Sequence, residues 1–221
     1  MDHIYYALVL PFNARASALD AACRLREAYP QARPRLDFTS AFELIVATVL
    51  SAQTTDDRVN TITPLIFSRW PTAGSLAEAS QVEVEAIVRP LGFQKRRSAQ
   101  LIDLCRALVE RHGGEVPSGA RDLEALPGVG RKTGNVVRGN WFGDSAFTVD
   151  THVGRLSRRL GWSQSQNPAR VEKDVESLLE GVNLTQLSHE LIFHGRAVCT
   201  ARAPRCGECV LADLCPRVGV E

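Results

Sequence analysis

Four cysteines near the end of the chain constrain its fold more than any other feature. Cys199, Cys206, Cys209 and Cys215 are separated by six, two and five residues, so four thiols fall within 17 positions. Ordinary core packing does not gather thiols this densely. Disulfides would need an oxidising compartment. The N-terminal "IYYALVLPF" has the length of an export-signal core, but it follows Asp2 and His3 rather than Lys or Arg. It therefore reads as a short extension or strand. A tetrahedral zinc site would accept four thiolates, although zinc modules usually show two short pairs; here Cys206 and Cys209 form the one tight pair. A [4Fe–4S] cluster held by four thiolates tolerates this spacing. Cys23 and Cys105 stand apart in helical patterns and read as buried, inert thiols.

The rest of the chain reads as all-α. Apolar residues recur at helical spacing, as in Phe42, Leu44, Ile45, Val49 and in Leu101, Leu104, Cys105, Leu108. Runs with the two-residue period of strands are scarce. No apolar stretch approaches the roughly 20 residues of a membrane span. Capping signals locate several helices. Ser40-x-x-Glu43 and Ser80-x-x-Glu83 read as capping boxes. Asp150 reads as an N-cap, and Asn167-Pro168 as a cap followed by an N1 proline. A helix from Lys95 to about Arg111 closes on Gly113-Gly114.

One segment breaks a helix rule. In "LPGVGRKTGN", Gly128-Val129-Gly130 opens a helix whose next residues are Arg131 and Lys132. Cations there oppose the positive end of the helix dipole. Free N–H groups after a glycine turn can bind phosphate, and a bound anion reverses the local field. Lys132 reads either as a solvated lysine or as an amine placed for nucleophilic attack. Net charge is +1, yet it is segregated. Residues 89–111 carry six cations against two acids, and residues 121–160 carry seven against four. Residues 171–190 hold five acids and one lysine. Such separation suits a polyanion on one face, although solvated helix faces give the same pattern. Arg96, Arg97 and the glycine turn are expected to contact its phosphates.

Taken together, these segments resemble the endonuclease III family of helix-hairpin-helix DNA glycosylases. The cysteine spacing is similar, as is its setting, "HGRAVCTARAPRCGECVLADLC". "LPGVGRKTGN" resembles that family's hairpin and catalytic lysine. "VDTHVGRL" resembles the segment bearing its catalytic aspartate, and "LSAQTTDDRVN" its helix near DNA. The likeness runs from about Asp37 to Cys215. Gly134 departs from it, since alanine is the family residue there.

The resemblance implies a two-lobed all-α fold. Residues 35–144 would form a six-helix bundle with the hairpin, and residues 1–34 with 145–221 an iron–sulfur domain. It implies a bifunctional DNA glycosylase/AP lyase that excises oxidised pyrimidines by base flipping and then cleaves by β-elimination. The catalytic residues would be Lys132 and Asp150, with Cys199, Cys206, Cys209 and Cys215 holding a [4Fe–4S] cluster. Gln53 would fill the gap left by the flipped base, and Phe93 with Gln94 would wedge the opposite strand, unless Phe93 belongs to the core. Gly128, Gly130, Arg131 and His152 complete the expected DNA contacts, and Asp56 is a possible pocket residue. Arg196, Arg202 and Arg205 would form a basic loop stapled by the cluster. The expected partner is double-stranded DNA with a damaged base or abasic site. The protein is expected to be monomeric, cytoplasmic and free of membrane contact.

Overall fold

The computed structural model describes residues 12–220. Regular structure among them is helical. In chain order the elements are α1 (Phe12–Ala28), α2 (Ala41–Leu50), α3 (Asp56–Arg69), α4 (Ala73–Ala77), α5 (Gln81–Val88), a 3-10 turn (Arg89–Leu91) and α6 (Gln94–His112). There follow α7 (Ala120–Glu124), α8 (Arg131–Asn140), α9 (Thr151–Arg159), α10 (Pro168–Leu178), α11 (Leu184–Ala197) and a second 3-10 turn (Cys206–Glu208). Apart from Phe12, the stretch "IYYALVLPF" lies outside the described residues.

The helix starts follow local chemistry. The Ser40, Thr55, Asp150, Asn167 and Asn183 side chains each accept a backbone N–H in the first turn of the helix they precede. The Ser40 box is displaced by one residue: the Glu43 carboxylate takes the N–H and hydroxyl of Thr39 instead. Ser80 precedes α5 without a side-chain cap bond. The five-residue α4 carries a capping box from Thr72 and Ser75 that periodicity did not reveal. Gly113, in the left-handed region at φ 61°, ends α6, and the Gly114 N–H closes on Leu108 O at 3.0 Å.

Two compact units result, Pro34–Ala146 and a second built from the residues before and after it. The first is organised on α2, whose last seven residues are all buried. A helix apolar on every face belongs inside a core. α3, α6 and α8 pack against it, while α4 and α5 cover α6. The second unit pairs α11 with α1 and α9, and α10 with α9. Its core draws Ala18, Ala21, Ala22 and Leu25 from α1, Val153 and Leu156 from α9, and Leu187 and Leu191 from α11. Positions 18, 21, 22 and 25 form one helical stripe, and Cys23 falls off it. Cys23 is therefore exposed, contrary to expectation. Cys105 is buried in the other core, where burial pushes its thiol up to about 12.

Candidate functional site

In the first unit, α7 and α8 pack as a hairpin around the turn Leu126–Gly130. Leu126 and Val129 anchor it from inside, and the Val129 N–H bonds Leu126 O at 3.1 Å. Gly128 sits at φ 78°, and a Cβ there would lie 2.0 Å from Nε2 of Gln100. The dihedral favours glycine, and a Cβ would also displace the Gln100 side chain. Gly130 is the N-cap and has no side chain to accept an N–H from the first turn of α8. Arg131 and Lys132 are exposed on that turn.

Two loops of the same unit carry strained residues. Gln53 follows α2 at φ 60°, and Phe93 precedes α6 at φ 50°. Both are exposed; Phe93, at 65%, is not a core residue. A non-glycine side chain in the left-handed region costs about 1–2 kcal/mol, and such residues cluster at functional sites. Gln94 is the first residue of α6 and Asp56 the first of α3, both half-buried. Arg97 departs from expectation. Its side chain is 7% exposed and donates to the Leu50, Ala52, Leu91 and Gly92 carbonyls, so it is not an open phosphate ligand. Lys95 and Arg96 beside it remain exposed.

The second unit holds Asp150 and the cysteines. Asp150 Oδ1 accepts the Val153 N–H at 2.8 Å, which leaves its other oxygen for further partners. His152 Nδ1 lies 3.2 Å from Nη2 of Arg155. Arg155 in turn donates to the Gly195 and Cys199 carbonyls, both at 2.9 Å. His152 is thus fixed on the face of α9 that meets α11.

The four expected thiols line one cavity, together with Arg159 and Arg217. Among the described residues, no three His, Cys, Asp or Glu side chains converge as a single ion requires. Sulfurs spread around a cavity fit a cluster in which each thiolate has its own iron. The surroundings suit a negatively charged sulfur shell. Arg159 Nη1 donates to Cys199 Sγ at 3.2 Å, and the Leu211 and Arg217 N–H groups reach Cys209 and Cys215 Sγ at 3.4 Å each. His194 Nε2 stands 3.3 Å from Cys209 Sγ, and its Nδ1 stands 2.9 Å from the Tyr29 hydroxyl. Burial pushes the His194 imidazole down to about 4. The ring thus bridges the phenol and the sulfur, and the tautomer that accepts from the phenol is the one that donates to the sulfur. Burial also pushes the Cys209 and Cys215 thiols up, and the facing cysteines add to it, so thiolates there require the positive charge of metal.

Arg159, His194 and Tyr29 were not identified from sequence. Arg159 and His194 each lie in the last turn of a helix, where a cation or histidine ordinarily complements the dipole. Tyr29 gave no signal. Of the basic loop, Arg202 is exposed, while Arg205 pairs with Glu208 at 3.1 Å.

Comparison with known proteins matches this geometry to a class. Residues 46–181 match the family described as HhH-GPD superfamily base excision DNA repair protein. Residues 199–215 match the iron-sulfur binding domain of endonuclease III. The chain is 47% identical to endonuclease III of Synechocystis over 193 residues, 87% of this chain and 88% of the relative. It is 39% identical to endonuclease III of Escherichia coli K12 over 201 residues, 91% and 95% of the two. It superposes on a trapped endonuclease III–DNA covalent intermediate with a TM-score of 0.85 at 35% identity, covering 92% of this chain and 96% of the other. The chain belongs to the endonuclease III family. It is a DNA glycosylase/AP lyase of base excision repair, with a [4Fe–4S] cluster as cofactor.

Proposed function

We propose that the chain removes oxidised pyrimidines from duplex DNA and cleaves the strand at the resulting abasic site, with Lys132 as nucleophile and Asp150 as the carboxylate that stabilises the sugar cation and assists proton transfer. The observation that carries this reading is the exposed amine of Lys132 on the open first turn of α8, directly after the Gly128–Gly130 turn. The extruded base places its sugar C1′ before that amine. The Lys132 nitrogen bonds to C1′, the C1′–base bond breaks, and the base leaves with a proton. The Asp150 carboxylate stabilises positive charge on the sugar and accepts a proton from the amine. The sugar ring opens to a Schiff base. Loss of a C2′ proton then expels the 3′ phosphate, and water releases Lys132.

The remaining expected residues serve binding. The turn amides with Gly128, Gly130 and Arg131 hold phosphate. Gln53 fills the vacated position in the stack, and Phe93, with Gln94 behind it, enters beside the opposite base. His152, two residues on in the first turn of α9, orders phosphate or Asp150, and Asp56 borders the pocket. Cys199, Cys206, Cys209 and Cys215 would hold the cluster, which would anchor the loop that carries Arg202 and Arg205 beside Arg196 in the last turn of α11. The partner is duplex DNA bearing a damaged base or an abasic site, engaged by a monomer in the cytoplasm. Among the described residues, no helix is long and apolar enough to cross a membrane.

Borohydride reduction on an abasic duplex tests the mechanism. The wild-type chain should become covalently joined to DNA, whereas Lys132→Gln should not. A trapped adduct with Lys132→Gln would sink the assignment.

A further inference from the structure

Arg97 poses a question that phosphate binding does not answer. It is the fourth residue of α6, in a turn that already carries Lys95 and Arg96. A cation there works against the helix dipole, and burying it adds a desolvation cost. The structure shows where the charge is spent. Nε donates to Gly92 O at 2.9 Å, Nη1 to Leu50 O at 2.7 Å and Nη2 to Ala52 O at 2.8 Å. A longer contact runs from Nη2 to Leu91 O at 3.5 Å. Leu50 is the last residue of α2, and Leu91 the last of the 3-10 turn, so the guanidinium sits at two negative helix ends.

Two of these carbonyls have a particular place in the chain. Ala52 O belongs to the peptide unit that precedes Gln53, and Gly92 O to the one that precedes Phe93. Those residues are two of the three non-glycine residues with positive φ among the described ones. The dihedral φ turns about the bond that follows this peptide plane. Fixing the plane sets the reference from which the strained side chain projects. One planar group therefore fixes both loops at once. A guanidinium has donors on separate edges of a rigid fork, whereas an ammonium is a point donor on a flexible stem.

We propose that Arg97 is a positioning residue that locks Gln53 and Phe93 into one pre-set pair, so that the two side chains enter the duplex together when a base is extruded. The proposal rests on the reading of Gln53 and Phe93 as DNA-inserting residues given above. It assigns Arg97 no contact with DNA. Its effect reaches the substrate through the two loops, whose preorganisation spares the cost of ordering them during extrusion.

A double-mutant cycle on the full-length, cluster-loaded protein tests it. The probe is a thymine-glycol duplex with 2-aminopurine next to the lesion, whose fluorescence rises as the stack opens. In the parent background, Gln53→Ala and Phe93→Ala should each slow the rise, and together they should deviate from additivity by about fivefold or more. In an Arg97→Lys background the deviation should collapse toward unity. A thermal melt and the visible absorbance of the cluster report folding separately. A purely structural role would lower the melting point and leave the coupling intact, which would overturn the proposal. If Gln53→Ala and Phe93→Ala are both silent in the parent background, the DNA-inserting reading fails, and the proposal with it. If Arg97→Lys does not fold, Arg97→Gln, which keeps donors for one loop, enters the same cycle. Failure of both to fold overturns the proposal by making Arg97 a determinant of the fold alone.

Discussion

Helices α6 and α8 both carry cations in their first turns, against the sign of their dipoles, and the structure places them in opposite ways. On α6, Arg97 turns inward to the carbonyl ends of α2 and the 3-10 turn. On α8, Arg131 and Lys132 stay exposed on a turn with no side-chain cap. A run of positive charge in a first turn therefore has two meanings. On α6 the guanidinium completes the protein's own hydrogen bonds, whereas on α8 the cations stay at the surface, where the proposed function has them meet DNA.

The largest effect expected on this contrast is at Lys132. Lys132→Gln should lower strand cleavage by about ten-thousandfold or more, because it removes the bonding amine. Binding to an abasic duplex should fall only modestly, since phosphate contacts are shared. Single-turnover cleavage and equilibrium titration on the same duplex separate the two quantities. Residual cleavage near the parent rate would erase the chemical half of the comparison.

Next is Arg97→Met. It should lower unfolding stability by about 2–4 kcal/mol, because four carbonyls lose their cationic donor. A denaturant titration checks the figure. Lys132→Gln on α8 should change stability little by the same titration. A large loss at Lys132 would mean that the cations of both turns are structural.

A finer distinction comes from salt. Arg131→Gln should reduce the slope of log binding constant against log salt by about 1, the share of one neutralised phosphate. Arg97→Lys should leave that slope unchanged. An equal loss of slope at the two positions would contradict the burial of Arg97 as the deciding difference.

The smallest effect lies inside α8. A Cβ on Gly134 would stand 3.7 and 3.8 Å from the Glu124 and Leu123 side chains, an ordinary packing distance. Gly134→Ala should therefore stabilise the hairpin by about 1 kcal/mol and raise the melting temperature by about 2–4 °C. A drop in melting temperature would show that the α7–α8 contact is tighter than these distances imply.

The sequence made some of this legible. Cysteine spacing and the glycine turn are local signals, and each is explained by a few adjacent residues. The caps at Ser40, Asp150 and Asn167 are local too, and the structure has them. Ser80 carried the same pattern without forming the bond. Arg97 was misread as a phosphate ligand because its partners at Leu50 and Ala52 lie far along the chain. The left-handed backbone at Gln53 and Phe93 was unreadable for a related reason: no glycine marks it, and tertiary bonds impose it. Cys23 was placed inside because its helix is amphipathic, but the buried stripe passes beside it.

The hydrogen-bond chain from Tyr29 through His194 to Cys209 also orders events in time. Tyr29 follows α1 directly, and Arg24 on that helix pairs with Asp213 at 2.7 Å, within the cysteine run. The partners of α1 therefore leave the ribosome after nearly all the rest of the chain. Residues 34–146 can condense while synthesis continues, since their core is self-contained. α1 must meanwhile keep the apolar stripe of Ala18, Ala21, Ala22 and Leu25 from pairing elsewhere. Its small side chains make that wait safer than a stripe of leucines would, since little greasy surface is offered to a passing nascent chain. The earliest of the described helices to be made is thus among the last to dock.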